Sequence, residues 1–209
     1  MYNEFVIYNS TIMTFTVKDL PFGKDALKGI SAKTNEIHHD KLYAGYVNKR
    51  NEIDEGLKTA DRSKASQAYS EFRALKLEET FNADGVILHE LYFESLGGDG
   101  QASGAFKDKI VEDFGSWEAF IEDATATAMA ARGWMVTAYD PSDGKIHNFL
   151  CDMHNQGGVW GTIPLWTIDC YEHAYFIDYG PDRKAYIGAL LENINWKAVN
   201  ERYEKITLI

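Results

Sequence analysis

Between residues 160 and 175 an apolar run gives way abruptly to acids. Trp160-Gly-Thr-Ile-Pro-Leu-Trp-Thr-Ile168 has the composition of a buried strand, and Asp169-Cys-Tyr-Glu-His-Ala-Tyr175 follows it at once. A carboxylate at the end of a buried strand is costly unless something pairs with it. A metal cation is one such partner, and Asp169 with His173, four positions on, could supply two ligands at once. The plain alternative is a strand end with a capping Asp. Either way, a chain carrying this stretch has to build a core layer on both sides of residue 165 and find a partner for the acid that follows.

The rest of the 209 residues is long enough for one large domain or two small ones. No apolar run approaches the roughly 18 residues of a membrane span. The N-terminus, Met1-Tyr-Asn-Glu-Phe, has no basic n-region, so no signal peptide is expected and a cytoplasmic location is the default. Cys151 and Cys170 make no disulfide framework and no C-x-x-C, so two small buried residues are expected. The net charge of -11 argues against nucleic-acid and anionic-membrane partners.

Taken in order, residues 1 to about 30 lack periodicity. Ser31 is a plausible N-cap for a helix ending near Gly56. On it His38, Leu42 and Tyr46 are four apart and share one face, while His39 falls on another and is expected in solvent. A polar linker, Lys58 to Ser63, leads to a second helix from Lys64 to about Leu96, with a break possible near Asn82-Ala-Asp-Gly85. Val86, His89, Phe93 and Leu96 lie on one face of it. Gly97-Gly-Asp-Gly-Gln-Ala-Ser-Gly104 is the clearest linker, which places a boundary between residues 1–98 and 99–209. Beyond it come helices from Phe106 to Glu112 and from Ser116 to Arg132. Strands at 134–139 and 145–151 follow, joined by Asp140-Pro-Ser-Asp-Gly144, with His147 facing solvent. Two further helices, Arg183 to Asn193 and Trp196 to Glu204, end the chain.

Four strings occur in an order that carries more weight than any one alone. They are Ile37-His-His-Asp-Lys-Leu-Tyr-Ala-Gly-Tyr-Val47, Phe81-Asn-Ala-Asp-Gly-Val-Ile-Leu-His89-Glu-Leu-Tyr-Phe93, Asp169-Cys-Tyr-Glu-His-Ala-Tyr175 and Asn193-Ile-Asn-Trp-Lys-Ala-Val-Asn-Glu-Arg-Tyr203. With Leu20-Pro-Phe-Gly-Lys-Asp-Ala-Leu27 ahead of them, they resemble the iron/manganese superoxide dismutase family from Leu20 to Tyr203. The third string is similar to that family's D-x-W-E-H-A-[FY] signature, with Tyr171 where Trp is usual.

The resemblance implies an α+β fold, an N-terminal α-helical hairpin followed by a C-terminal α/β domain with a three-stranded antiparallel sheet and the metal site between them. It implies dismutation of superoxide to dioxygen and hydrogen peroxide, with one iron or manganese ion per subunit held by His38, His89, Asp169 and His173. It also implies that Tyr46 flanks substrate access and that Trp134, Tyr92 and Phe93 wall the metal. One outer-sphere side chain comes from the 152–158 loop, either His154, which fits the spacing without a gap, or Gln156, which needs a shorter loop. Glu172 is expected to accept a hydrogen bond from the ligand histidine of a second subunit, which implies a homodimer or a dimer of dimers. Arg183 and Lys41 are candidates for a local positive field that attracts superoxide.

Leu42 departs from the pattern, because most members carry there a second histidine that bonds to a tyrosine of the other subunit, matched here by Tyr175. Leucine can neither donate nor accept. Tyr175 is therefore expected either to find another partner, Tyr43 or water, or to lose that link. Two other functions share these ligand types: another mononuclear non-haem iron enzyme, and a non-catalytic metal-binding protein on the same scaffold.

Overall fold

The structure is a computed structural model that describes residues 15–206. The leader and localisation expectations for Met1 onward, and residues 1–14 of the N-terminal half, lie outside the described residues.

Residues 15–31 run without regular structure and are tied down by side chains. Asn51 holds Phe15 from both sides, accepting its N–H at 2.9 Å and donating to its carbonyl at 2.8 Å. Ser31 then caps α1 (Ala32–Ile37), its hydroxyl accepting the Thr34 N–H. The same helix continues through a π-helical segment, His38–Tyr43, into α2 (Ala44–Thr59). The expected stop at Gly56 is passed by three residues, because Gly56 keeps helical bonding and its carbonyl accepts the Ala60 N–H.

The second long helix, α3 (Glu71–Glu94), is shorter than its sequence suggests. Residues 64–70 favour helix by composition, yet Ser70 has extended backbone and accepts the Arg73 N–H, so the helix begins there. Ahead of it, Arg62–Lys64 forms one 3₁₀ turn capped by Asp61. No break occurs at residues 82–85. Asn82 is buried within the helix and donates to the Glu78 carbonyl, and Gly85 lets Tyr46 approach so closely that an added Cβ would lie 3.0 Å from its ring.

After the 97–104 linker, α4 (Ala105–Phe114) and α5 (Trp117–Ala130) pack on the sheet. Ser116 caps α5, accepting the Ala119 N–H. The sheet has strands β1 (Trp134–Asp140), β2 (Lys145–Cys151) and β3 (Ile163–Asp169), all antiparallel, in the order β2-β1-β3. Central β1 is buried almost throughout, while Pro164 sits in edge strand β3 beside a register shift at Thr137/Ala138. An edge strand tolerates a missing N–H where a central one would not. The chain closes with α6 (Phe176–Tyr179), α7 (Arg183–Leu191) and α8 (Trp196–Ile206).

One apolar core runs through both halves, from Tyr43, Val47 and Val86 in the helices to Trp134, Trp166 and Trp196 around the sheet. Cys151 and Cys170 are both free and buried in it, and burial pushes their thiols up to about 11 and about 12. Among the described residues no helix is long and apolar enough to cross a membrane.

Candidate metal centre

Strand pairing builds the first half of the site. In register, Trp134 at the start of β1 faces Asp169 at the end of β3 on one side and Cys151 on the other. The chain leaving β3 makes a 3₁₀ turn at Glu172–Ala174, which swings His173 back until its Nε2 lies 3.1 Å from Asp169 Oδ2. The helices bring the rest. His38 enters from the π-helical segment with Nε2 2.9 Å from the same oxygen, and His89 enters from α3 with Nε2 3.8 Å away.

The four donor atoms of His38, His89, Asp169 and His173 all lie within 4.8 Å of one another. His38, His89 and Asp169 are buried and His173 is largely so. Each is oriented by its other polar atom or by its neighbours. His89 Nδ1 donates to the Gly85 carbonyl at 2.6 Å, leaving Nε2 aimed into the cluster with no hydrogen-bond partner. Asp169 Oδ1 accepts the Tyr171 N–H at 2.9 Å, so Oδ2 alone faces the imidazoles. The Asp169 carbonyl accepts from the Tyr186 hydroxyl at 3.0 Å, and the Tyr92 hydroxyl lies 3.2 Å from that of Tyr186.

Electrostatics follow from burial. Burial alone would raise the Asp169 carboxyl, but the charge of His173 and the hydrogen bonds from His173 and His38 outweigh it and hold the group well below the usual carboxylate range. Burial lowers His38 against the pull of Asp169, and it drives His89 far down with help from the His38 charge. His173 resists burial because Asp169 is beside it, and its imidazole is raised.

An anion and three imidazoles whose nitrogens converge, one of them without any partner, form a set that a cation would complete. Nitrogen and oxygen donors without thiolate suit iron, manganese or zinc. The residues present therefore fit a single hard-to-borderline metal ion.

Around the cluster, Trp134 donates its indole N–H to His154 Nδ1 at 2.9 Å. That leaves His154 Nε2, which is buried without a partner, carrying the proton. Burial lowers the His154 imidazole to about 4. The Tyr46 ring lies 5.1 Å from that of His89 and 4.7 Å from that of His154. Tyr92 and Phe93 pack against His38 at 5.1 and 5.0 Å.

The sequence matches the models for iron/manganese superoxide dismutases, with the alpha-hairpin domain over residues 14–97 and the C-terminal domain over residues 102–202. The chain belongs to the iron/manganese superoxide dismutase family. It is 51% identical over 184 residues to a superoxide dismutase [Fe] of Aquifex pyrophilus, covering 86% of each chain. A superoxide dismutase [Fe] of Aquifex aeolicus is 50% identical over the same coverage. A superoxide dismutase [Mn] 2 of Haloferax volcanii is 38% identical over 197 residues, covering 92% of this chain and 97% of that one.

In this dismutase-family chain several expected residues are not at the cluster. Gln156 is exposed on the loop, its backbone bridged to Met153, so only His154 of the two loop candidates reaches the centre. His39 is not in solvent. It is buried, with Nε2 donating to the Lys18 carbonyl at 2.8 Å and Nδ1 2.8 Å from Asp40 Oδ1. Tyr175 does not turn to Tyr43. Its hydroxyl accepts from Arg183 Nε at 3.2 Å, while Tyr43 donates to Glu90 at 2.9 Å. Arg183 is thereby occupied, because its Nη1 also reaches the Ala131 carbonyl at 2.6 Å beyond the end of α5. Leu42 is half-buried, and Lys41 and Glu172 are exposed.

Tyr186 was not expected near the centre. In sequence it is one more apolar position on a helix, and nothing in its spacing signals a bond to the Asp169 backbone.

Proposed function

We propose that this chain dismutes superoxide, with iron or manganese held by His38, His89, Asp169 and His173. The observation that carries it is the convergence of those four donor atoms within 4.8 Å in a chain whose two halves both match the family. The same reading puts the division at residues 98/99, on the glycine-rich 97–104 linker, with the centre between the halves.

A bound iron or manganese ion would supply one-electron redox chemistry, accepting an electron from one superoxide and giving one to the next. The protein's part is to bind, orient and handle protons. Two superoxide ions and two protons become dioxygen and hydrogen peroxide, so each cycle consumes two protons. His154 holds one at Nε2, fixed there by the Trp134 N–H on its other nitrogen. Tyr46 keeps its phenolic proton at neutral pH, because burial and the Asp169 charge raise it further. These two side chains lie against each other over His89, which makes them the outer sphere of the site.

A dimer is part of the proposal. Glu172 is exposed beside the ligand His173, and Phe176 and Ile177 stand 52% and 51% exposed just beyond it. A carboxylate and two apolar side chains in that position suit a two-fold contact through which Glu172 orients a neighbouring imidazole. The overall negative charge gives no footing for nucleic acid, and a cytoplasmic location is part of the same reading.

Metal analysis and superoxide decay, after separate loading with iron and manganese, test the proposal. One ion per chain with rapid decay is expected for at least one metal, and His89→Ala should lose most of the bound metal. Full metal stoichiometry in His89→Ala, or a loaded protein that leaves superoxide untouched, would overturn it.

A further inference from the structure

The backbone carbonyl of Asp169 ends an edge strand on the side that has no neighbouring strand. Cys170 donates its N–H to the Gly133 carbonyl at 2.8 Å, toward β1. A trans peptide sends the preceding carbonyl the opposite way, where the sheet stops. Asp169 is fully buried, so this carbonyl needs a partner inside the protein. Tyr186 of α7 supplies it, donating at 3.0 Å. A hydroxyl has one proton to give. The Tyr92 hydroxyl, 3.2 Å away, therefore donates to that of Tyr186. Both phenols are buried, and burial raises them, so both keep their protons. Neither hydroxyl has a further hydrogen-bond partner among the described residues.

This relay joins the two parts of the metal centre. His38 and His89 come from the helical hairpin, while Asp169 and His173 come from the end of β3 and the 3₁₀ turn beyond it. Tyr92 lies on α3 three residues after His89, on the same face of that helix. Its ring also packs 5.1 Å from that of His38. Tyr186 holds the strand end that carries Asp169, and its ring stacks 5.1 Å from that of Tyr175, two residues after His173. One hydroxyl is enough to satisfy one carbonyl. The second comes from the opposite half of the chain, and it ties the strand end to the helix that carries His89.

We propose that Tyr186 and Tyr92 are positioning residues for the metal site. Their relay fixes the distance between the hairpin's two ligands and the two that follow from β3, and so sets how tightly an ion is held. With Oδ1 of Asp169 held by the Tyr171 N–H, a fixed backbone keeps Oδ2 turned toward the imidazoles. This role rests on the reading that His38, His89, Asp169 and His173 bind a metal, and it extends that reading to two side chains outside the donor set.

The test reads affinity and geometry apart from turnover. Cobalt(II) is the probe, because its visible absorption follows ligand geometry, and a competing chelator gives its dissociation constant. The full chain is compared with Tyr186→Phe, Tyr92→Phe, the double variant, and Ile187→Ala, a core truncation on the same helix. Tyr186→Phe should weaken cobalt binding about tenfold or more and shift the absorption bands. Tyr92→Phe should weaken it less, because the Asp169 carbonyl keeps its donor. Tyr186→Phe leaves a carbonyl and the Tyr92 hydroxyl buried alone, and the double variant removes the second of these. The double variant should thus regain part of the urea midpoint lost by the metal-free single variant and none of the lost affinity. Ile187→Ala should lower the midpoint while keeping wild-type affinity and bands. If Tyr186→Phe does not fold, the double variant against the wild type carries the same comparison. Wild-type affinity with unchanged bands in the variants lacking the Tyr186 hydroxyl would overturn the proposal. So would affinity that recovers together with stability in the double variant, or that falls as far in Ile187→Ala. The functional reading fails separately, when cobalt behaves as expected but the iron- and manganese-loaded wild type leaves superoxide untouched. A wild type that holds no cobalt would overturn both.

Discussion

The Trp134 indole N–H and His154 Nδ1 lie 2.9 Å apart, and that one bond decides which nitrogen of His154 carries a proton. Two elements meet in it, the first residue of β1 and a loop residue that would otherwise be free to turn. Trp134→Phe removes the donor and leaves the ring. It should retain metal, because no donor atom is removed and the Phe ring still packs beside His89, and lose about tenfold in superoxide turnover, at the lower end of the range for an orienting partner. Superoxide decay normalised to metal content checks this. A parallel loss of metal would point to a packing role instead.

Gly85 faces the Tyr46 ring, and a methyl there would come within 3.0–3.4 Å of its carbons. In an exposed helix Gly→Ala gains about 1 kcal/mol, but here the ring has to move. Gly85→Ala should therefore show little gain in urea midpoint, a displaced Tyr46 and reduced turnover with metal retained. A variant that is both clearly stabilised and fully active would show that Tyr46 is free to shift without consequence.

The Glu172 carbonyl accepts the Tyr175 N–H, but its carboxylate has no hydrogen bond or ion pair within its own subunit among the described residues. If it orients an imidazole across a two-fold axis, Glu172→Ala should weaken that dimer and shift sedimentation toward the smaller species. A dimer as tight as the wild type would remove Glu172 from the interface.

Metal-free protein should lose stability as pH falls from about 6.5 toward 4. Burial holds His154 down at about 4, and it lowers His38 and His89 as well. An unfolded histidine titrates near about 6.5, so between these values the unfolded chain binds more protons. Stability from the three groups is thus present above about 6.5 and drains away below it. His173, raised beside Asp169, works in the other direction but is one group against three. Asp169, held low, adds a further loss only once pH drops below the ordinary carboxylate range. Urea midpoints of the apo-protein against pH measure the slope.

Much of the centre could be read before the fold was known. His38, His89, Asp169 and His173 sit in strings whose spacing is as distinctive as their composition, and Ser31 and Ser116 announce their helices by capping them. What escaped notice depended on contacts distant in sequence. Ser70 rather than a residue near 64 starts α3, because its hydroxyl finds the Arg73 N–H and composition alone cannot weigh that bond. His39 looks polar and outward by helical phase, yet the irregular 15–31 segment folds over it and supplies the Lys18 carbonyl. Leu42 offers no hydrogen-bonding group, and the partner that Tyr175 finds within its own subunit, Arg183, comes from α7 and was visible only as a lone cation. Tyr186 gave no signal at all.

The wide turn at His38–Tyr43 sets the angular relation between the two ends of the first long helix. Each residue of a regular α-helix advances about 100° around the axis. Tightening that turn to ordinary pitch by deleting one residue would swing the upstream portion by about that angle relative to the downstream one. His38 could then keep facing Asp169, or Tyr46 could keep facing His89, but a single rigid rod could not serve both. The loosened coil works as a phase adjuster, letting one continuous helix set His38 against Asp169 and Tyr46 against His89.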